Sequence, residues 1–223
     1  MLQPEQIIYE DNHLLVVDKP AGLVSQGASA DQPSLGNQAK HYLKIKYQKP
    51  GNVYLGIVSR LDKLTTGVIV LARTSKAAAR LNRDFKNRKV RKTYQTLVER
   101  VELPAEQTLT DYMRKNEGDR KMEICSSETK HAQKAVLHFR SLNQYKSAAH
   151  LEIKLETGRK HQIRLQLSNC GAPVLGDRKY GSKQNFSPGI ALHSSILALQ
   201  HPTTKEQLTF EAPLPATWKP WMQ

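Results

Sequence analysis

Acidic residues are scarce in this chain. It carries 20 of them against 34 lysines and arginines, a formal net charge of +14, so its natural partner is a polyanion rather than a neutral metabolite. The plain alternative is a basic surface that only aids solubility. Cysteine is almost missing: Cys125 and Cys170 stand far apart and form no Cys-x-x-Cys pair. That excludes a disulfide framework and a cysteine zinc site and points to a reducing, cytoplasmic setting. Long apolar runs are missing too, the most apolar stretches being strand-sized, as in Val68 to Ala72. Neither a signal peptide nor a membrane span is expected, and no basic amphipathic anchor is seen. Among polyanions, nucleic acid is therefore favoured over a membrane surface. Phosphate-binding glycine loops, Gly-x-Ser-x-Gly elbows and His-Glu-x-x-His are absent, and the eight histidines lack metal-ligand spacing. A chemistry without metal or cofactor is expected.

What remains is a globular composition, 39% hydrophobic and 24% charged over 223 residues, ample for a buried core. Ile7 to Tyr9 and Leu14 to Val17, parted by Asp11 and Asn12, read as a hairpin. Residues 34 to 47 read as an amphipathic helix ended by Pro50 and Gly51. Val68 to Ala72 reads as a buried strand. A helix from about Ser75 to Lys86 follows, capped by Thr74 or Ser75, with Leu81 and Phe85 inward. Thr93 to Val98 is the next strand, and Ala135 to Leu142 with Ala149 to Leu155 an antiparallel pair. A short helix from His161 to Asn169 stops at Gly171, and strands near Leu192 to Leu199 and Gln207 to Glu211 close the chain. Strands outnumber helices and the connections read as antiparallel, which makes the fold class α+β rather than a repeated strand-helix-strand fold. With no repeat, low-complexity tract or linker, residues 1–223 read as a single domain.

Basic residues concentrate between Arg73 and Lys92, where Asp84 is the one acid. On the helical part Lys76, Arg80 and Arg83 recur at spacings of four and three, on one face. They are candidates for RNA contact, with a solvated helix face as the plain alternative. Further upstream, Ser59 and Asp62 are spaced like a capping box. Thr65, Thr66 and Gly67 lead straight into the strand at Val68, however, which leaves no room for a helix. Asp62 is thus expected in a loop feeding a strand. Flanked by Arg60 and Lys63, its carboxylate would be ionised and available as nucleophile or base.

Arg60-Leu61-Asp62 followed by Thr66-Gly67-Val68 resembles the catalytic motif of RluA-type pseudouridine synthases. Asp18-Lys19-Pro20-Ala21-Gly22-Leu23 resembles the opening motif of that family, and Lys92-Thr93-Tyr94 its tyrosine strand. Gly158-Arg159-Lys160-His161-Gln162-Ile163-Arg164 resembles its arginine motif, and Leu175-Gly176-Asp177-Arg178-Lys179-Tyr180-Gly181 the segment that follows. Leu192-His193 and His201-Pro202 complete the series, in the family's order and over nearly the whole chain. The position before Arg60, often histidine in the family, is Ser59. With only a short stretch ahead of the opening motif, the S4 RNA-binding domain of many relatives is not expected, and RNA capture is expected to rest on the catalytic domain's own charge.

The resemblance implies the pseudouridine-synthase fold, a bent, mixed and mainly antiparallel sheet with flanking helices and a central basic cleft. It implies catalysis by Asp62, Tyr94 and Arg164, without cofactor, on a uridine of ribosomal or transfer RNA; a monomer is expected. Asp62 would attack C1′ or assist glycal formation, and both routes stay open. Arg164 would pair with Asp62, and Tyr94 would pack on the target base and help remove the C5 proton. Arg60 would enter the RNA stack where the uridine leaves it, with Arg159 and His161 also on the RNA. The alternatives are a catalytically silent RNA-binding protein on the same fold, against which intact Asp62, Tyr94 and Arg164 speak, and a hydrolase that releases free uracil.

Overall fold

The computed structural model describes residues 2–27, 33–116, 118–119 and 121–223. In chain order come β1 (Ile7–Glu10), β2 (Leu14–Lys19), α1 (Leu35–Lys46), β3 (Gly56–Ile57), β4 (Thr66–Ala72) and α2 (Ser75–Lys86). Then follow β5 (Arg91–Glu99), β6 (Glu106–Lys115), β7 (Met122–Cys125), β8 (Gln133–Gln144), β9 (Ala148–Leu155), α3 (Gln162–Asn169), β10 (Leu192–Gln200) and β11 (Gln207–Glu211). The class is α+β, as expected. The chain divides into two compact units: Met1–Lys92 with Ser194–Pro213, and Thr93–His193 with Leu214–Gln223.

In the first unit β1 and β2 form the expected hairpin. Its turn is held by the Asp11 carboxylate, which accepts from the backbone N–H of His13 at 2.7 Å and of Leu14 at 2.6 Å. β2 pairs antiparallel with β4, Leu14 opposite Ala72 and Lys19 opposite Gly67, and β10 pairs with β11. Leu14, Val16, Val68, Val70, Leu81, Leu197, Leu199 and Phe210 form one buried cluster, with Phe85 packed against it. Caps fix where the helices begin. The Ser34 hydroxyl accepts from Asn37 N at the start of α1, and that of Thr74 from Ala77 N at the start of α2, each worth about 1 kcal/mol. At the start of β4, Gly67 has φ +106, and a side chain there would collide with the backbone of Ser194. Only glycine permits this close approach at that φ.

In the second unit the strand order is β5, β9, β8, β6, β7, each pair antiparallel. α3 departs from an amphipathic helix because Gln162, Ile163, Arg164, Leu165, Gln166 and Leu167 are all buried. Its polar side chains are satisfied internally, as burial demands. Gln162 Nε2 donates to Val136 O and to Gln166 Oε1, each at 3.0 Å, while Gln162 Oε1 accepts from Thr157 Oγ1 at 2.8 Å and Arg159 N at 3.0 Å. Gln166 Nε2 donates to Asp111 Oδ2 at 2.8 Å. Tyr180, buried beside Met113, Met122 and Leu165, completes this core. Among the described residues no helix is long and apolar enough to cross a membrane.

Candidate active site

Asp62 lies in the loop between β3 and β4 and is half-buried, as its sequence context implies. The loop is built from backbone contacts to the β2 end and the segment after it. Ser25 holds its neighbour Leu61 from both sides: its hydroxyl donates to Leu61 O at 2.8 Å and accepts from Leu61 N at 3.0 Å. Lys63 O on the other flank accepts from Gly22 N at 2.8 Å and from Lys19 Nζ at 3.4 Å. A turn from Thr65 N to Asp62 O, 3.2 Å, closes the loop. With its neighbours fixed on both sides, the Asp62 backbone has little freedom left, which is how a scaffold preorganises a reactive carboxylate.

Lys19 is fully buried. Its ammonium donates to Pro20 O at 2.8 Å and Leu23 O at 2.9 Å as well as to Lys63 O. Burial pulls its pKa down to about 8, while the charges of Asp62 and Asp18 act in the opposite direction. The ammonium therefore anchors the loop mechanically and puts positive charge near Asp62. Asp18 shows the reverse balance: burial raises its pKa against the lowering effect of the Gly67 backbone hydrogen bond and of Lys19.

Tyr94 and the arginine motif, with the segment that follows it, lie in the second unit. Tyr94 on β5 is buried, paired in register with Ile153 of β9. Arg164 on α3 is buried, and its guanidinium grips Asp177 with both prongs, Nε to Oδ2 at 2.6 Å and Nη2 to Oδ1 at 2.7 Å. This two-pronged geometry fixes the guanidinium plane. The plane also lies 5.0 Å from the ring centre of Tyr180. Tyr180 is itself fixed, since its hydroxyl accepts from Met122 N at 3.1 Å and is hydrogen-bonded to His161 Nδ1 at 2.8 Å. Asp177, Tyr180 and Lys19 are supporting residues that sequence reasoning passed over. All three stand inside motifs that resemble the family's, which was the available signal.

Of the residues assigned to RNA contact, Arg60, Lys76 and Arg83 are exposed. Arg80 is half-buried, and its guanidinium donates to Pro202 O at 2.9 Å. Arg159 Nε donates to Lys134 O at 3.0 Å, and His161 joins Tyr180. Among the described residues no group of three or more histidine, cysteine, aspartate or glutamate side chains is placed to hold a metal ion.

Comparison with known proteins covers the same ground. The family model for RNA pseudouridylate synthase matches residues 13–169. Ribosomal large subunit pseudouridine synthase D of Pseudomonas aeruginosa is 35% identical over 225 residues, covering 94% of this chain and 68% of the relative. tRNA pseudouridine synthase C of Pectobacterium carotovorum is 33% identical over 233 residues, covering 96% of this chain and 60% of the relative. Among solved structures, human RNA pseudouridylate synthase domain containing 4 superposes with a TM-score of 0.79 at 26% identity, covering 96% of this chain and 90% of that one. With the arginine and tyrosine motifs in their expected elements and Asp62 in its expected loop, this chain belongs to the RNA pseudouridylate synthase family.

Proposed function

We propose that this protein isomerises particular uridines of ribosomal or transfer RNA to pseudouridine, with Asp62 as the reactive carboxylate. The observation that carries this reading is the clamped loop. Ser25, Gly22 and the buried ammonium of Lys19 hold the residues on both sides of Asp62. The reaction breaks C1′–N1, turns the uracil over, joins C1′ to C5, moves the C5 proton to solvent and leaves a proton on N1. Atoms balance without cofactor or water. Asp62 serves the first step, by attack at C1′ or by assisting glycal formation. Arg164 is assigned to Asp62 as the cation that keeps it ionised, and its buried guanidinium, oriented by Asp177, supports that role. Tyr94 is assigned to the base and to proton removal at C5.

Arg60, Lys76, Arg83 and Arg159 are assigned to the RNA, with Arg80 and His161 serving it through their hydrogen bonds to Pro202 and Tyr180. Reaching the carboxylate requires the uridine to leave its stack, at a cost of a few kcal/mol. We read residues 1–223 as one catalytic domain that acts as a monomer in the cytoplasm. The division between the compact units falls inside β5 and inside β10, and half a strand is not an independent folding unit.

The test uses RNA carrying tritium at C5 of uridine. The unmodified protein is expected to release tritium and form pseudouridine with no free uracil. Asp62→Asn should lower the single-turnover rate by at least about a thousandfold at nearly unchanged RNA affinity. Free uracil as the product would make the protein a hydrolase, and appreciable turnover by the variant would remove Asp62 from the chemistry.

A further inference from the structure

From Gln32 to Leu61 the chain has no acidic residue, while Lys40, Lys44, Lys46, Lys49 and Arg60 fall within it. The same stretch holds the exposed large apolar side chains found among the described residues: Ile45 at 56%, Tyr47 at 45% and Tyr54 at 50%. Single exposed apolar residues need no explanation. Three of them between positions 45 and 54, set among lysines, do.

α1 sorts its residues into two faces. Leu35, Gly36, Ala39 and Leu43 are buried, and Lys40, His41, Lys44 and Ile45 are exposed. Lys40 and Lys44 are one helical turn apart, about 6 Å along the axis, and Lys49 follows in the turn after the helix. None of these three lysines makes an ion pair among the described residues. Among the described residues, the acid that contacts this stretch is already paired. Glu10 accepts from Tyr42 at 2.9 Å, Tyr47 at 2.7 Å, Lys46 at 2.8 Å and Arg73 at 3.0 Å. Burial alone would raise its pKa, but the hydrogen bonds from Lys46, Tyr47 and Tyr42 outweigh it and hold the carboxyl ionised. The Arg73 guanidinium lies 4.7 Å from the Tyr47 ring centre. An exposed ring is thereby fixed at its hydroxyl and flanked by cations before any partner arrives, which reduces the ordering cost of binding.

We propose that the C-terminal half of α1 and the turn after it form a second RNA-binding surface. On it Tyr47 stacks with an unpaired base, and Lys40, Lys44 and Lys49 take neighbouring phosphates. An exposed ring flanked by cations, with the acid that meets it paired to Lys46 and Arg73, describes a single-stranded nucleic-acid platform. An apolar protein partner would instead match a broad aliphatic patch, and Ile45 is the one exposed large aliphatic residue present. The inference rests on RNA being the substrate and extends it to RNA away from the reacting uridine.

Binding of a fluorescein-labelled single-stranded oligouridylate, followed by anisotropy, tests this on the Asp62→Asn background, so that turnover does not intrude. The triple change Lys40→Gln, Lys44→Gln, Lys49→Gln should raise Kd about tenfold or more and reduce the logarithmic salt slope by roughly 2. A control with the same charge loss on other exposed lysines, Lys146→Gln, Lys154→Gln, Lys219→Gln, should keep most of the affinity. Tyr47→Leu should weaken binding roughly fivefold or more, whereas Tyr47→Phe, which keeps the ring, should not. An unchanged slope, equal loss in the control triple, or full affinity of Tyr47→Leu would overturn the proposal. Failure of the enzymatic reading would show separately, as absence of pseudouridine formation by the unmodified protein.

Discussion

Arg164 and Asp177 are each buried, at 4% and 1% side-chain exposure, and a buried charge is tolerated only with its partner. Arg164→Met should therefore cost about 3 to 5 kcal/mol of stability by stranding Asp177. Adding Asp177→Leu should return much of that stability and none of the activity. Arg164→Lys keeps a charge but loses the two-pronged grip, so single-turnover rates should fall from wild type to Lys to Met. Urea unfolding of the three variants beside those rates checks the argument, and a double variant no more stable than Arg164→Met would break it. Lys19 gives the pH dependence. Its folded pKa of about 8 lies below the unfolded 10.5, so the unfolded chain holds the proton more tightly. Below pH 8 both states are charged and burial of the ammonium costs stability in full; as pH rises from about 8 towards 10.5 that cost is relieved. Wild type should thus gain on Lys19→Met by roughly 2 to 3 kcal/mol across this window. Parallel unfolding curves for the two proteins from pH 7 to 10.5 would refute it.

Among the elements, α2 separates two arginines that look equivalent in the sequence. Arg80 and Arg83 share a face by spacing, yet Arg80 donates to Pro202 O while Arg83 is exposed. Arg83→Gln should lower the salt slope of RNA binding by just under one and leave stability within about 0.5 kcal/mol. Arg80→Gln should also cost about 1 kcal/mol of stability. Identical thermal unfolding of the two variants would show that the Pro202 contact contributes nothing. The same contrast marks how far pattern reading reaches. α2 and β9 are legible because apolar residues recur at the period of each element, and β4 because Val68 to Ala72 is a short unbroken apolar run. β6 is not: Glu106–Lys115 buries only Leu109 and Met113, and that four-residue spacing imitates a helix. β3 and β7, at 2 and 4 residues, are too short for any period to show. At the site, the loop position of Asp62 was legible because Thr65, Thr66 and Gly67 are local. The grip of Asp177 on Arg164 was not, since it depends on how α3 and the following loop meet in space.

On the scale of the whole molecule, the charge of +14 acts twice, and salt should reveal both actions with opposite signs. Like charges repel one another in the folded protein, so the excess positive charge opposes compactness. The same excess draws RNA and releases its counterions on binding. Without RNA, added salt screens the self-repulsion and should raise Tm, by about 2 to 4 °C for each kcal/mol screened in a chain of this size. With RNA, affinity should fall by a few hundredfold to about two thousandfold between about 50 and 200 mM salt if about six phosphates are contacted. The exposed ion pairs, such as Arg140 with Glu152 at 3.4 Å, weaken in salt as well, but pairs of this kind contribute little, so net repulsion sets the sign. Bound RNA should in turn raise Tm at low salt by mass action, and this gain should shrink as salt rises. Thermal unfolding with and without RNA across that range measures both trends. A Tm that falls with salt in the free protein would mean that its basic residues are compensated locally and that no long-range field gathers the RNA.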